Sequence, residues 1–446
     1  MWTRCPASVR RPPAADRAGS ALRSVPEAFR ASDPHPPRKS EAVPMMRAGP
    51  SQEEIRKHNL GTLLRHVHVG GPTSRAELTS LMGLNRSTIM ALTADLTAAG
   101  LVREELPRDT GRAGRPSLVV RPETARVYVL AFDVGVDRLA AARIGLGGVI
   151  LDRRETRRER GPFDLAQVAG TLAGFARQMR RRTREDTICV GAAAGVSGVV
   201  RRSDGVVRLG PNIGAVETPL REELTRRLAL GMPVAVGNEA NLGALAEHTR
   251  GIGIGCRDLV YLHGDVGIGG GIIVNGQLLG GHGGYGGEVG HMVVNPDGRR
   301  CGCGSRGCLE AEVGEPALME HAGRYGEMIG RDAVRAVVDA ADRGDVRAQE
   351  ALAHVGGWLG LGVANLVNVF NPEMVVFGGI LREIYLGSAA QVRSRIATGT
   401  LSAARERLRL RTTALGDDAT LMGAAELAFT QVLADPLEAL SRLGPA

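Results

Sequence analysis

Residues 283–310 read GGYGGEVGHMVVNPDGRRCGCGSRGCLE and carry more chemical information than any other stretch of the chain. Three of the six cysteines, Cys301, Cys303 and Cys308, fall within eight residues, and His291 lies ten positions before the first of them. Three thiols and one imidazole make a complete tetrahedral donor set, which is typical of a structural zinc site. We therefore predict that these four residues hold a structural Zn²⁺ ion.

Two other interpretations of the cysteines stay open. The thiols could form a disulfide or an inert cluster of small apolar side chains, and the Cys-x-Cys-x4-Cys spacing is irregular for a zinc motif. A disulfide is disfavoured in an intracellular chain, which keeps its thiols reduced. Gly302, Gly304 and Gly307 favour the flexible backbone of a metal knuckle.

The same stretch resembles a known family. Glu288-x-x-His291, followed by Cys301-x-Cys303-Gly304-x-x-Gly307-Cys308-Leu309-Glu310, is similar to the signature of the ROK family of bacterial sugar kinases and sugar-responsive repressors. The resemblance extends over about the last 320 residues. It implies an α/β fold with a two-lobed, actin-like ATPase domain of the ROK sugar kinase type. The strand run Val127–Phe132, which ends in Asp133-Val134-Gly135, resembles the opening β-hairpin of that fold.

The resemblance also implies a sugar pocket. Sugar hydroxyls both donate and accept hydrogen bonds, so a pocket needs carboxylates, amides and imidazole that converge from several loops. The positions that match the sugar-contacting residues of the family are Asn212, Asn238, Glu239, Glu288, His291 and Glu310. If zinc holds one nitrogen of His291, the other nitrogen is left for a sugar hydroxyl.

Three departures from the kinases of the family argue against catalysis. The general base, usually Asp, is Glu239, and the first phosphate loop has Asp137 in place of Thr. The second phosphate loop has Asp265-Val266 in place of Gly-Thr. Two added carboxylates would repel a triphosphate by an amount on the order of a few kcal/mol in a partly desolvated cleft. We expect impaired ATP binding and no sugar kinase activity.

The segment before this domain has the pattern of a winged helix-turn-helix. Three helices are predicted. The first covers 52–68, and the second is a short helix that follows the capping residues Thr73 and Ser74. The third covers 86–99 after its cap Asn85, with Gly83 at the turn before it. The β-prone runs 101–103 and 118–120 would be the paired strands of a wing. The residues predicted to face the major groove are Asn85, Arg86, Ser87, Thr88 and Met90. The alternative is a helical adaptor whose polar face is only solvated.

The loop inside the predicted wing reads GRAGRPS from Gly111 to Ser117. Arginines enter narrow A·T-rich minor grooves, where the negative potential is enhanced, so Arg112 and Arg115 are predicted to contact DNA there. Otherwise the loop is a basic linker.

Composition sets the broad class. The chain has 446 residues, 43% of them hydrophobic, with 61 glycines and a net charge of +8, which suits a soluble α/β protein with a polyanionic partner. No apolar run has the length of a membrane span or the form of a secretory signal, so we expect a cytoplasmic protein with no membrane partner. The predicted organisation is a disordered tail (1–50), a winged helix-turn-helix (51–121), a ROK sugar-binding domain (122–434) and a C-terminal tail (435–446).

The predicted function is a sugar-responsive transcriptional regulator, most simply a repressor of carbohydrate metabolism genes. Its partners would be double-stranded operator DNA, a sugar or sugar-phosphate effector, and a second copy of the chain in a homodimer or homotetramer. The alternative is an active ATP-dependent sugar kinase with an N-terminal adaptor. A zinc hydrolase is disfavoured because four protein ligands leave no coordination position for water.

Overall fold

The computed structural model describes residues 51–107, 117–324, 326 and 329–442. The tail predicted over residues 1–50 and the two loop arginines, Arg112 and Arg115, lie outside the described residues. The described residues from Ser51 onward belong to one compact unit.

The N-terminal part is built from three helices and a small sheet. Helices α1 (Gln52–Gly70), α2 (Arg75–Met82) and α3 (Arg86–Ala98) accompany strands β1 (Thr73–Ser74), β2 (Val102–Glu105) and β3 (Val119–Pro122), paired in the order β1-β3-β2. Ser51 and Glu54 form a capping box at the start of α1, and Ser74 and Asn85 cap α2 and α3 through their side-chain oxygens. Gly83, with φ +63°, makes the tight turn between α2 and α3.

The first lobe contains a five-stranded sheet in the order β11-β7-β4-β5-β6. Its strands are β4 (Val127–Val134), β5 (Arg138–Gly145), β6 (Val149–Arg157), β7 (Ile188–Val196) and β11 (Ala235–Asn238), with helices α4 (Leu165–Arg180) and α5 (Leu220–Leu228). All eight residues of the central strand β4 are buried, because both faces of the sheet are covered. A separate small sheet contains β8 (Val199–Val200), β9 (Val207–Gly210) and β10 (Ala215–Thr218).

Helix α6 (Glu239–Arg250) leads into the second lobe, whose sheet has the order β14-β13-β12-β15-β16. Its strands are β12 (Leu259–Gly264), β13 (Ile268–Val274), β14 (Gln277–Leu278), β15 (Met374–Gly379) and β16 (Arg409–Thr412). The helices that follow are α7 (Leu309–Val313), α8 (Glu315–His321), α9 (Gly330–Asp342), α10 (Val346–Phe370), α11 (Ile380–Gly387), α12 (Ala389–Gly399), α13 (Ser402–Arg405), α14 (Ala419–Ala434) and α15 (Pro436–Ser441).

The two lobes repeat one arrangement. In each, a β-hairpin (β4–β5 or β12–β13) lies beside strands that run parallel to the first strand of the hairpin. Strand β4 ends at Val134 and β12 ends at Gly264, so the loops that follow them, at Gly135 and Asp265, are equivalent. In open α/β sheets, ligands bind at the carboxyl ends of parallel strands.

Helix α10 is long and apolar enough to cross a membrane by length and composition alone, but more than half of its apolar window is buried inside the protein. Leu359, Val363 and Val367 belong to the core of the second lobe. Packing in that core accounts for the apolar composition of α10.

The N-terminal helices pack on the end of the chain. A Cβ atom placed on Gly61 of α1 would lie 2.6 Å from the carbonyl oxygen of Leu433 in α14, so the two backbones approach closely. Part of the stretch predicted as a C-terminal tail is helical: Asp435 caps α15, and its carboxylate lies 2.7 Å from the ammonium of Lys57 in α1. Helices α1, α14 and α15 therefore pack against one another.

Candidate functional site

The cysteines and histidine of residues 291–308 converge at one point. The ligand atoms of His291, Cys301, Cys303 and Cys308 all lie within 4.8 Å of one another, and the Cys303 and Cys308 sulfurs are 3.8 Å apart. A tetrahedron with metal–sulfur bonds of about 2.3 Å has sulfur–sulfur edges of roughly 3.8 Å. The five cysteines among the described residues are free thiols. The cluster therefore has the donors and the spacing to bind a metal ion.

Glycines shape the backbone around the cluster. Gly304 and Gly307 have φ of +94° and +70°, and a Cβ atom on Gly307 would lie 1.5 Å from the carbonyl oxygen of Asn295. Backbone hydrogen bonds from Cys301 to Ser305 and from Gly307 to Arg299 close the loop. Glycine is required here because a side chain has no space at Gly307.

Two residues of this cluster, His291 and Cys303, line a cavity of about 120 Å³. All six residues predicted to contact sugar line this cavity: Asn212, Asn238, Glu239, Glu288, His291 and Glu310. The Nδ1 atom of His291 lies 3.7 Å from the sulfur of Cys301. Since Nδ1 faces the thiols, Nε2 is the ring nitrogen left for a ligand in the cavity.

Hydrogen bonds hold these polar groups in place. Asn238 caps α6 through its side-chain oxygen and donates through its amide to the carbonyl of Gly198 at 3.0 Å. Glu310 accepts from the backbone N–H of Ile268 at 3.0 Å. Burial raises the pKa of Glu288; the neighbouring Glu310 adds to this shift and His291 opposes it.

A second cavity, of about 200 Å³, lies next to the first and shares Glu239 and Asp265 with it. Its walls include the two loops predicted to correspond to the phosphate loops of kinases. They carry the carboxyl groups of Asp133, Asp137, Glu239, Asp265 and Asp417 beside the guanidinium groups of Arg138 and Arg331. Asp133 is buried and pairs with Arg138 at 2.8 Å. Carboxyl groups outnumber guanidinium groups in this lining.

The acidic groups perturb one another. Burial, together with the nearby Asp265 and Asp133, raises the pKa of Glu239 to about 8, against a hydrogen bond from Ser197 that lowers it. Burial and the carboxylates of Asp137 and Asp133 raise the pKa of Asp265 to about 6. Crowding of carboxylates in a desolvated cleft accounts for both shifts.

Two residues at or beside the first cavity were not predicted from the sequence. Ser197 is buried, lines the first cavity and donates to the Glu239 carboxylate at 2.5 Å. Asn241 donates to the carbonyl of Gly286 at 3.4 Å and so contacts the glycine-rich loop before Glu288. The available signal for Ser197 was its place at the end of β7, beside the strand end that carries Asn238.

The residues predicted to read DNA lie at the start of α3. The side chains of Asn85, Arg86, Ser87 and Met90 are exposed, and Thr88 is half-buried. Asn85 is partly engaged, because its side-chain oxygen accepts from the Thr88 N–H at 2.8 Å and from the Ser87 hydroxyl at 2.7 Å. Met90 is 53% exposed, which is unusual for a methionine inside a packed helix.

Comparison with known proteins agrees with this geometry. The ROK family matches residues 129–431. The xylose repressor of Bacillus spizizenii is 27% identical over 383 residues, covering 86% of this chain and 97% of that protein. The DNA-binding transcriptional dual regulator NagC of Escherichia coli is 27% identical over 363 residues, covering 79% of this chain and 88% of that protein.

Two solved structures share the fold. The crystal structure of a ROK family transcriptional regulator, a homolog of the Escherichia coli MLC protein, has a TM-score of 0.71 at 26% identity and covers 87% of this chain and 99% of that one. The ROK family glucokinase from Streptomyces griseus, in complex with glucose and AMPPNP, has a TM-score of 0.57 at 27% identity and covers 68% of this chain and 99% of that one. With its actin-like ATPase-type fold and its match over residues 129–431, this chain belongs to the ROK family.

Proposed function

We propose that this protein is a cytoplasmic, sugar-responsive transcriptional regulator, most simply a repressor of carbohydrate metabolism genes, which binds its sugar without phosphorylating it. The observation that carries the proposal is the convergence of six hydrogen-bonding side chains in one cavity, beside a second, acidic cavity and in the same chain as three N-terminal helices. Both relatives described above are regulators of transcription by name.

The N-terminal helices and strands would form a winged helix-turn-helix. The match to the xylose repressor covers 86% of the chain. The stretch from residue 129 to the C-terminus is shorter than that, so the match extends into the N-terminal helices. The glucokinase structure covers only 68%. Ion pairs from Arg75 to Glu104 and from Arg121 to Glu105 brace the small sheet. They support β2 and β3 as a wing.

In this proposal α3 enters the major groove with Asn85, Arg86, Ser87, Thr88 and Met90 at its leading end. Arg86 would contact a phosphate or a guanine, and Met90 the methyl group of a thymine. Arg112 and Arg115, in the loop between the wing strands, would follow the minor groove. A two-fold symmetric operator is expected to be read by a homodimer or a homotetramer.

In the sugar site, the six polar residues of the first cavity would bind the hydroxyls of one monosaccharide. Zn²⁺ would be bound by His291, Cys301, Cys303 and Cys308 as a structural ion, because four protein ligands complete its coordination. The chemistry it supplies is that of a rigid scaffold: it fixes the His291 ring and the loop that leads to Glu310. A hydrolytic role is disfavoured because four protein ligands leave no coordination position on the ion for water.

The kinase alternative is tested by activity. Purified protein with ATP and Mg²⁺ would be assayed for ADP formation against D-glucose, D-xylose and N-acetyl-D-glucosamine, with the Streptomyces griseus glucokinase as a positive control. We expect no sugar-dependent ADP formation, because Asp137 and Asp265 add negative charge where phosphate groups would lie. Turnover at a rate of about 1 per second or more, within the usual range for kinases, would overturn the proposal.

A further inference from the structure

Helix α6 connects the sugar cavity to the N-terminal helices. Its first residue, Glu239, lines both cavities, and its last residue, Arg250, lies against His68 in the last turn of α1. Twelve helical residues span about 18 Å. One straight element therefore contacts the pocket at one end and the N-terminal module at the other.

Close packing holds α6 along its length. A Cβ atom on Gly423 of α14 would lie 1.9 Å from the carbonyl oxygen of Leu242, and one on Gly271 of β13 would lie 2.4 Å from the Cβ of Ala244. These glycines place the α6 backbone directly against α14 and the second sheet. A helix packed in this way moves as a rigid body with its neighbours rather than bending.

Arg250 is the centre of a buried polar junction. Its guanidinium donates to the carbonyl oxygen of His68 at 3.2 Å from both terminal nitrogens, to the carbonyl oxygen of Gly147 at 3.0 Å, and to the carboxylate of Glu426. The His68 carbonyl belongs to the last turn of α1, where helical carbonyls lack a partner within the helix. Arg250 therefore caps α1 from the sugar-binding domain.

His68 completes the junction. Its ring is fully buried, its Nδ1 accepts from the Gly147 N–H at 2.9 Å, and its Nε2 faces the Glu426 carboxylate at 3.3 Å. A guanidinium nitrogen of Arg250 lies 2.5 Å from the same Nε2 atom, so Arg250 and Glu426 both contact the His68 ring. Gly147 follows β5, whose other end at Arg138 lies in the acidic cavity. Both α6 and β5 thus lead from the cleft to His68.

We propose that this junction of His68, Arg250, Glu426 and the Gly147 backbone transmits occupancy of the sugar cavity to the DNA-reading helices, with Arg250 as the positioning residue. The inference rests on the proposed function. A sugar that draws Asn238 and Glu239 toward itself shifts α6, and Arg250 then exchanges its contacts with α1. The hydrogen bonds of this junction are buried and directional, so they favour discrete docking positions of α1. A small shift of α6 therefore changes the population of orientations in which the N-terminal helices can bind DNA.

The test measures a coupling ratio, defined as the factor by which the sugar changes the Kd for a DNA fragment selected by the wild-type chain. The sugar used is whichever of D-glucose, D-xylose or N-acetyl-D-glucosamine raises the melting temperature of the wild-type protein most. We expect a ratio of at least about 5 in the wild type. Arg250→Lys keeps the charge but lacks the two-pronged donor geometry. In that variant we expect the ratio to fall below about 2 while the sugar affinity stays within about twofold of wild type.

Arg324→Lys is the matched control, because Arg324 pairs with Asp345 at 3.1 Å in the second lobe and contacts neither the cavity nor α1. It should keep the wild-type ratio. Glu426→Gln is the second junction variant and should also lower the ratio. If Arg250→Lys and Glu426→Gln both keep the coupling ratio of the wild-type protein, the inference is overturned and the proposed function stands. If the wild-type protein itself selects no DNA or binds no sugar, the proposed function is contradicted.

If both variants unfold, hydrogen exchange of the wild-type chain decides. We expect the same sugar to change amide protection at the C-terminal turn of α1 and at Gly147. Unchanged protection at both places would overturn the inference.

Discussion

Glu239 is the residue predicted to stand at the general-base position of the kinases of the family, and its surroundings raise its pKa. Its carboxyl lies between the two cavities, and burial together with Asp265 raises its pKa to about 8. A protonated carboxyl donates a hydrogen bond and is a poor proton acceptor. Under the proposed function, Glu239 would therefore bind a sugar hydroxyl at neutral pH rather than activate it.

This protonation predicts a pH dependence of stability. Between about pH 4.5 and 8 folded Glu239 keeps its proton while the unfolded chain loses it, so its contribution to stability falls as pH rises through this window. The stability of Glu239→Gln relative to wild type should rise by roughly 1–3 kcal/mol from pH 5 to pH 8. Chemical denaturation at both pH values measures this, with the exposed Glu185→Gln as control. Parallel pH profiles for Glu239→Gln and wild type would contradict the protonation assignment.

The metal ligands give a second prediction at this scale. Cys303→Ser should reduce bound zinc from about one per chain to well below one half, and should lower the free energy of unfolding by at least about 2 kcal/mol, because metal binding contributes folding energy. Elemental analysis and thermal denaturation measure the two effects. Cys256→Ser, at a buried cysteine outside the cluster, should keep its zinc. Stoichiometric zinc in Cys303→Ser would remove that residue from the site.

Some site residues were accessible to sequence analysis and others were not, for a physical reason. The metal cluster could be predicted because its thiols lie close together in the chain as well as in space. The six positions predicted to contact sugar come from separate segments, and only the family resemblance connects them. Ser197 carries no spacing pattern, since a serine at a strand end becomes functional only through the neighbouring strand that brings Glu239 beside it.

At the scale of elements, glycine contacts determine how α6 packs. Gly423→Ala should lower the free energy of unfolding by roughly 2–4 kcal/mol, because its Cβ would lie 1.9 Å from the Leu242 carbonyl oxygen and the backbone of α6 would have to move. Gly174→Ala in α4 is the matched control. Its Cβ would meet only the end of Arg177 at 4.0 Å, so alanine should stabilise this helix by up to about 1 kcal/mol. Thermal denaturation compares them, and equal stabilities of the two variants would contradict the packing account.

The elements themselves differ in how well local sequence encodes them. The caps Ser74 and Asn85 act on the next few residues, so the starts of α2 and α3 could be predicted. Strand β1 is two residues long and exists only because Thr73 and Ser74 pair with β3. Helix α15 depends on packing beside α1 and on the pair between Asp435 and Lys57, which a local pattern does not reveal.

At the scale of the whole molecule, the sequence predicted an N-terminal module and a two-lobed domain but not how they meet. The contact of Gly61 with Leu433 and the junction at His68 join residues that are hundreds of positions apart. Hydrophobic periodicity does not predict such a pairing, because it reflects only how each residue fits its own local element. This docking is what gives a sugar pocket a physical route to DNA-reading helices.

The central claim is that sugar in this pocket changes DNA affinity. The most direct measurement is fluorescence anisotropy of a DNA fragment selected by the wild-type chain, titrated with protein in the absence and presence of the saturating sugar identified by thermal shift. The account predicts that the sugar changes the DNA Kd by at least about fivefold, and that Glu288→Ala, which alters the cavity wall, binds the same DNA but loses this change. An identical Kd with and without sugar in the wild type, or an undiminished sugar effect in Glu288→Ala, would contradict it.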